Sequence, residues 1–164
     1  MKVGINTYIH PTALIGKYVT IGDNCHIGPY CLIGFPAEWK GKENESKGVI
    51  ILDGVTLTGL VTVDAGVDNM TIIGTDCYLM KHSHVGHDAV LYAGVTLSCG
   101  AKVGGHAEIA AFTNIGLNAV IHQRKVVPES CMIGMGAVVT KGLEMEEGQK
   151  YVGNPAKWLS KNVK

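Results

Sequence analysis

The sequence lacks an excess of charge of one sign, a long hydrophobic run and a cysteine pattern typical of disulfide scaffolds. Its 164 residues carry 14 basic and 14 acidic side chains, so we expect no binding to nucleic acid or to an anionic membrane surface. No segment is apolar for long enough to cross a bilayer, and the N-terminus does not resemble a signal peptide. The five cysteines are an odd number. We therefore expect a reduced, cytoplasmic protein without membrane insertion.

The most regular feature of the sequence is an aliphatic residue at every sixth position. A first run extends from Ile9 to Ile33, and glycine follows the aliphatic residue at several of its steps. The longest run contains twelve residues in unbroken register: Ile73, Leu79, Val85, Leu91, Leu97, Val103, Ile109, Ile115, Ile121, Val127, Ile133 and Val139. The 22 glycines are typical of a chain with tight turns at regular intervals.

A period of six matches neither the 3.6 residues of a helix turn nor the two-residue alternation of a strand. It is typical of the hexapeptide class of β-helix, in which three short strands close a coil of about eighteen residues. We therefore predict an all-β fold, a left-handed parallel β-helix with a short C-terminal tail or helix. The left hand is taken from the resemblance to known hexapeptide β-helices, since right-handed crossovers are the general rule.

Two segments interrupt the repeat and set the predicted domain organisation. Residues 35–48 are polar and rich in turn formers, so we expect a loop excursion that is either a solvated surface loop or a loop that grips substrate. A slip of four residues falls near residues 64–70. The β-helix domain should cover residues 1–142, and residues 143–164 should form a capping tail in which Trp158 and Leu159 lie on a short helix.

The fifth position of each hexad should also point inward and hold a small side chain. Lys125 is the exception within the long run, and we expect a local distortion of the coil there. The same rule assigns four cysteines to core packing rather than to redox or metal chemistry: Cys25, Cys31, Cys77 and Cys131. Cys99 falls outside this register and has no assignment.

Three histidines occur within the stretch MKHSHVGHDA, at His82, His84 and His87, and all occupy outward positions. Residues eighteen apart should stack about 4.8 Å from each other on successive coils. This arithmetic predicts three adjacent columns along one edge of the prism: Gly86, Gly104 and His122; His87, Gly105 and Gln123; Asp88, His106 and Arg124. The edge therefore combines imidazoles, a carboxylate, a guanidinium, an amide and bare glycine backbone.

This combination suits acyl transfer. A histidine can take a proton from a hydroxyl or an amine that attacks a thioester, a carboxylate can orient the imidazole, and an exposed glycine N–H can stabilise the oxyanion. No serine or cysteine is placed to form a covalent intermediate with His87, which favours direct attack by the acceptor. We expect no bound metal or cofactor for this chemistry.

The segments IHPTALIG, IGDNCHIGPYCLIG, HVGHDA, GGHAEI and AVIHQ resemble the UDP-N-acetylglucosamine acyltransferases that begin lipid A synthesis, a family of left-handed β-helical trimers. The resemblance implies that His87 is the general base, assisted by Asp88, with the Gly105 amide as oxyanion donor. It implies that His84, His106, His122 and Gln123 line the acceptor and acyl groove, and Arg124, from the columns above, is a further candidate for substrate binding. It further implies a homotrimer, a UDP-sugar acceptor and an acyl donor carried on acyl carrier protein or CoA.

Departures from the family pattern leave other functions open. The family continues with a helical domain after the prism, so we expect a relative shortened at its C-terminus. TVDAGV, with Asp64 and Ala65, replaces a string similar to His-Arg-Gly-Thr. Met135 occupies a position where the family often has a small residue, which favours a shorter acyl chain.

Three alternatives follow. The ending YVGNPAKWL resembles acetyl-CoA-dependent sugar N- and O-acetyltransferases. The spacing of His82 and His87, together with IGMGA at 133–137, resembles γ-class carbonic anhydrases, which hold zinc with three histidines, although the pair lies in a different register. A non-catalytic trimeric scaffold is the third alternative.

Overall fold

The computed structural model describes residues 1–163, and these residues form strands and turns without a helix, hence without a helix that could cross a membrane. The strands of the described chain, most of them only two residues long, are β1 (Lys2–Val3), β2 (Tyr8–Ile9), β3 (Leu14–Ile15), β4 (Val19–Ile21), β5 (His26–Ile27), β6 (Leu32–Phe35), β7 (Val49–Ile51), β8 (Thr56–Leu57), β9 (Thr62–Asp64), β10 (Thr71–Ile73), β11 (Tyr78–Leu79), β12 (His84–Val85), β13 (Val90–Leu91), β14 (Thr96–Leu97), β15 (Lys102–Val103), β16 (Glu108–Ile109), β17 (Asn114–Ile115), β18 (Val120–Ile121), β19 (Val126–Val127), β20 (Met132–Ile133), β21 (Val138–Val139), β22 (Gln149–Val152) and β23 (Lys157–Lys161).

Strands β1 to β22 build three parallel sheets, because each strand pairs with the strand one coil later, and β23 is added to the second sheet in antiparallel orientation. The first sheet has the order β1-β4-β7-β10-β13-β16-β19, the second runs from β2 through β20 to β22 and β23, and the third runs from β3 to β21. Successive strands along the chain belong to successive sheets, so the chain winds around a three-sided prism. The predicted parallel β-helix is confirmed.

The pairing register confirms the eighteen-residue coil and both interruptions. His84 pairs with Lys102, eighteen residues later, in the regular part of the prism. Val19 pairs with Val49, so the first excursion adds twelve residues to one coil. Val49 pairs with Thr71, which shows the predicted slip of four residues.

The prism is filled by the aliphatic residues of the repeat. Every member of the long run from Ile73 to Val139 is at most 1% exposed. The four cysteines assigned to the fifth position are buried in the same core, as predicted. Burial raises the pKa of the Cys77 thiol to about 11, which keeps it protonated at neutral pH.

The distortion predicted at Lys125 does not occur. The ladder continues through this turn, with Glu108 paired to Val126 and Ile109 to Val127 in regular register. Lys125 belongs to the last coil of the first sheet, so its side chain extends past the end of the stack and donates a hydrogen bond to the Leu143 carbonyl. An inward lysine is tolerated there because no further coil of that sheet lies above it.

The C-terminal segment forms a hairpin, so the helix predicted around Trp158 and Leu159 is wrong. Strand β22 adds to the edge of β20 in parallel, which continues the second sheet beyond residue 142, and β23 returns antiparallel to it. Trp158 lies on β23 and donates its indole N–H to Gln149 at 2.9 Å. Lys164, the end of the predicted tail, lies outside the described residues.

Candidate active site

The turns that join the third sheet to the first carry the predicted site. We call this edge the histidine edge, defined by His87, His106 and His122. The His106 N–H donates to the His87 carbonyl at 2.9 Å, and the Arg124 N–H to the Gly105 carbonyl at 2.9 Å. Asp88, His106 and Arg124 all adopt the left-handed conformation, with φ of 60°, 57° and 59°. The predicted columns therefore exist because each turn repeats the backbone geometry of the previous one.

His87 is bound to a buried carboxylate. Its Nδ1 lies 2.7 Å from Oδ2 of Asp88, whose side chain is fully buried. A hydrogen bond at Nδ1 fixes the orientation of the ring and leaves Nε2 as the free nitrogen. His87 thus carries the geometry of an oriented general base.

The Asp88 carboxylate is held by backbone amides from the second interruption. Oδ1 accepts the N–H groups of Asp68 at 2.8 Å and Asn69 at 2.5 Å, and Oδ2 accepts the N–H of Val67 at 3.0 Å. The Thr71 hydroxyl accepts the N–H of Asp88 at 2.9 Å. The insertion of four residues in this coil therefore includes the three residues whose N–H groups keep the carboxylate in place.

The pKa of Asp88 lies below its usual value. Burial alone would raise this pKa, but the hydrogen bonds from Asn69, His87 and Val67, together with the nearby His106, outweigh it. Asp88 is consequently ionised at neutral pH and can stabilise the imidazolium that forms when His87 accepts a proton.

Gly105 faces the free nitrogen of His87. Within residues 1–163, its N–H donates to no backbone or side-chain oxygen. A β-carbon placed on Gly105 would lie 2.6 Å from Nε2 of His87. The imidazole therefore packs directly against the backbone of Gly105, a position that only glycine leaves open, and the Gly105 N–H beside it has no partner among the described residues.

Gly105→Ala is therefore expected to displace the imidazole and to lower turnover by about tenfold or more. Gly142→Ala is the matched control, since a β-carbon on Gly142 meets nothing within 4 Å. Steady-state rates and melting temperatures of both variants test this prediction. If the lower rate of Gly105→Ala came with a large fall in melting temperature, the loss of activity would reflect unfolding, and this would contradict a local displacement of the imidazole.

His106 completes a cluster of three potential metal ligands. Nitrogens of His87 and His106 and a carboxylate oxygen of Asp88 all lie within 4.8 Å of one another. Nε2 of His106 is buried without a hydrogen-bond partner among the described residues and lies 3.7 Å from Oδ2 of Asp88. Asp88 already accepts three backbone N–H groups, so the cluster fits an orienting carboxylate better than a metal centre. His82, the zinc ligand of the carbonic anhydrase alternative, is exposed and lies outside this cluster.

His84 belongs to a neighbouring groove of about 520 Å³ on the third sheet. Its Nδ1 lies 2.8 Å from the Thr62 hydroxyl, and its Nε2 lies 3.8 Å from Oδ2 of Asp64. Burial lowers the pKa of His84, while the Asp64 charge acts in the opposite direction. Burial likewise raises the pKa of Asp64. This pair therefore adds polar contacts to a groove that also has apolar side chains in its wall, such as Leu32 and Phe35.

A smaller pocket of about 280 Å³ lies beside His87 and His106. Its other walls come from Glu38 and Trp39 of the first excursion and from Gln123 and Arg124 of a later coil. His122 is exposed on the same edge, and its Nδ1 contacts the Gln123 carbonyl at 2.7 Å. Met135 is 75% exposed and lies in a turn between the second and third sheets. A single chain therefore does not bring Met135 to the histidine edge.

Several contributors to the site were not identified by sequence reasoning. The indole of Trp39, from the first excursion, lies over His87 with ring centroids 5.1 Å apart. The amides of residues 67–69 bind Asp88 through backbone atoms, so no side-chain motif could reveal them. The slip of four residues near residues 64–70 was the one sequence signal that pointed to the amides of residues 67–69. No sequence feature indicated that Trp39 lies over His87.

Comparison with known proteins extends these observations. A family model described as bacterial transferase hexapeptide (six repeats) matches residues 1–35. An acyl-[acyl-carrier-protein]–UDP-N-acetylglucosamine O-acyltransferase from Campylobacter concisus is 30% identical over 143 residues, which are 85% of this chain and 55% of that protein. The protein of the same name from Campylobacter lari is 33% identical over 146 residues, 87% of this chain and 56% of that protein.

Among solved structures, a UDP-N-acetylglucosamine acyltransferase from Bacteroides fragilis matches with a TM-score of 0.92 at 24% identity, covering 98% of this chain and 70% of that chain. This match confirms the left-handed β-helix. The resemblance to the UDP-N-acetylglucosamine acyltransferases is likewise confirmed over most of this chain. The chain spans about half the length of the curated relatives.

Proposed function

We propose that the chain transfers an acyl group from a phosphopantetheine thioester to a hydroxyl or amino group of a nucleotide-linked sugar such as UDP-N-acetylglucosamine. The observation that carries this proposal is the oriented base: Nδ1 of His87 contacts the buried Asp88 carboxylate, and Nε2 lies against Gly105, whose N–H has no partner among the described residues. The names of the relatives support both substrates, because they specify an acyl carrier protein donor and UDP-N-acetylglucosamine.

In the proposed reaction, the acceptor attacks the thioester directly. The acceptor oxygen or nitrogen bonds to the carbonyl carbon while its proton passes to Nε2 of His87. The Gly105 N–H donates to the oxyanion of the tetrahedral intermediate, and Asp88 stabilises the imidazolium. The C–S bond then breaks and His87 returns the proton to the leaving thiolate, so that the protein regains its starting state.

The remaining polar groups of the edge are proposed to bind the acceptor and donor. His106, Gln123 and Arg124 border the pocket beside His87. We assign the positive charge of Arg124 to a phosphate of the nucleotide or the donor. His122 follows on the same edge, and His84 contacts the adjoining groove.

A homotrimer is proposed because one chain leaves the groove incomplete. Met135 and the histidine edge lie on different corners of the prism, so Met135 reaches the acyl chain only from a second copy. Exposed Leu117 lies eighteen residues before Met135 in the same column and extends this apolar corner. A closed cyclic trimer places such a corner of each copy beside the histidine edge of the next.

Met135→Gly is expected to shift the preferred donor towards longer acyl chains. The thioether of Met135 would otherwise occupy the space that extra methylene groups need, each worth about 0.8 kcal/mol when buried. Rates with a series of acyl donors of increasing length test this. A preference that does not move would contradict the assignment of Met135 to the acyl groove.

The proposed function is tested by a matrix of donors and acceptors. Acyl carrier protein and CoA thioesters of different lengths are combined with several UDP-sugars, and acylated sugar is measured by mass. We expect transfer of the acyl group from acyl carrier protein to a UDP-sugar of the kind found in the cytoplasm. Activity restricted to acetyl-CoA would favour the acetyltransferase alternative suggested by YVGNPAKWL, and hydration of CO₂ with bound zinc would favour the carbonic anhydrase alternative.

A further inference from the structure

His87 is much less exposed than its register predicts. A side chain at an outward position of the repeat is expected to lie in solvent. In the structure, only 16% of the His87 side chain is exposed. The cover comes from Trp39, whose ring lies 5.1 Å from that of His87 at an interplanar angle of 33°. The same indole meets His106 edge-on, at 6.1 Å and 74°.

The three rings form a closed cluster, which we call the aromatic cap: Trp39, His87 and His106. The two imidazoles themselves meet at 5.1 Å and 88°, so each ring of the cap contacts both others. Aromatic contacts of this kind stabilise a pair beyond the effect of the area that they bury. The cap is therefore a defined packing arrangement around the imidazole of the base.

The excursion that carries Trp39 is anchored at both sides of the indole. Before it, Ala37 is buried against the body of the protein, and the Trp39 N–H donates to the Ala37 carbonyl at 2.7 Å. After it, the Lys42 N–H donates to the Trp39 carbonyl at 2.9 Å, and the Lys47 N–H donates to the Gly66 carbonyl at 2.7 Å. The first two bonds shape the excursion around the indole, and the third ties the end of the excursion to the second interruption.

Charged groups surround the cap on its outer side. Nζ of Lys42 lies 5.9 Å from the Trp39 ring and forms an ion pair with Glu45 at 2.7 Å. Glu38 and Arg124 border the pocket beneath the indole. The pocket beside His87 is therefore lined by charged and polar groups, while the indole of Trp39 packs against the face of the imidazole.

We infer that Trp39 is a positioning residue that holds the His87 imidazole in place and shields one face of its ring from water. This inference rests on the proposed function, because it concerns the same thioester. In the competing hydrolysis, a water oxygen bonds to the carbonyl carbon, its proton passes to His87 and then to the leaving thiolate, and the C–S bond breaks to give a free acid. An oriented base accelerates both reactions, so selectivity for the sugar depends on excluding water.

The test measures the ratio of free acid to acylated sugar for the wild type, Trp39→Ala and Trp39→Phe. Trp39→Ala is expected to raise this ratio roughly tenfold, because it opens the face of His87 to solvent. Trp39→Phe keeps an aromatic cover and should restore most of the wild-type ratio. Trp158→Phe, which changes the other tryptophan at an exposed position outside the cap, should leave the ratio unchanged.

A second readout does not depend on turnover. In a Trp158→Phe background, Trp39 is the remaining tryptophan, so its fluorescence reports on the cap. Adding His87→Ala should make Trp39 more accessible to acrylamide quenching, whereas adding His26→Ala should not.

Two results would overturn the inference: a Trp39→Ala variant that loses transfer and hydrolysis in equal proportion, or quenching that is indifferent to His87. Failure of the proposed function has a different signature, because the wild type would then form no acylated sugar from any UDP-sugar, and the inference would fall with it.

Discussion

His87→Ala is expected to lower the rate of acyl transfer by about 10²- to 10⁴-fold, the usual contribution of a general base. The imidazole is the group whose Nδ1 contacts buried Asp88 and whose Nε2 faces Gly105. Its loss removes the proton acceptor but leaves the inward residues of the prism untouched. The rate of acylated sugar formation at saturating substrates measures the effect.

The fold should survive His87→Ala, because the side chain packs outside the prism against Trp39 and His106. Circular dichroism and the melting temperature check this directly. His26→Ala is the matched control, since His26 is another exposed histidine on an outward strand position, in the second sheet. Unfolding of His87→Ala would show that the assigned register is wrong, and retained transfer would remove His87 from the mechanism.

Asp88→Asn is expected to reduce both activity and stability. The carboxylate accepts N–H groups from residues 67–69 and contacts His87 Nδ1. In the asparagine side chain, an NH₂ group replaces one carboxylate oxygen and cannot accept a hydrogen bond from these N–H groups. Each buried N–H that loses its acceptor lowers the free energy of unfolding by about 1–3 kcal/mol. Transfer should fall by about 10²-fold because His87 loses its orientation and its counter-charge. Rates and the free energy of unfolding in urea measure the two effects.

The stability effect has a defined pH dependence. The folded-state pKa of Asp88 is lowered, so its stabilisation is present above the unfolded pKa, about 3.9, and is lost as pH falls through the lower folded value. The wild type should therefore lose free energy of unfolding in this acidic window, and Asp88→Asn should lose less. Glu147→Gln, which changes an exposed carboxylate, should follow the wild type. Parallel acid profiles for wild type and Asp88→Asn would contradict this account.

The architecture was predictable because the repeat enforces one geometry. Each aliphatic step, such as Leu97 to Val103, moves the chain to the next face of the same prism, so counting positions locates a residue on a face or an edge. The prediction failed where the repeat ends. Strand β22 pairs through backbone groups at the free edge of β20, and the residues around Trp158 follow no six-residue register.

The candidate site was predictable only in part. The columns of the histidine edge follow from register, and the adjacency of His87 and Asp88 follows from the sequence itself. The position of Trp39 depends on how a loop without periodicity folds back over the prism, and no pattern in the sequence encodes that path. The binding of Asp88 by residues 67–69 is equally hidden, because it uses amide groups that every residue possesses.

The most direct test of the account is the mass of a UDP-sugar after incubation with an acyl thioester and the purified protein, with His87→Ala in parallel. The account predicts that wild-type protein adds the mass of one acyl group to UDP-N-acetylglucosamine or a related UDP-sugar, and that His87→Ala gives this product at least about 10² times more slowly. Equal product from both proteins, or an unchanged UDP-sugar mass with every donor, would contradict it.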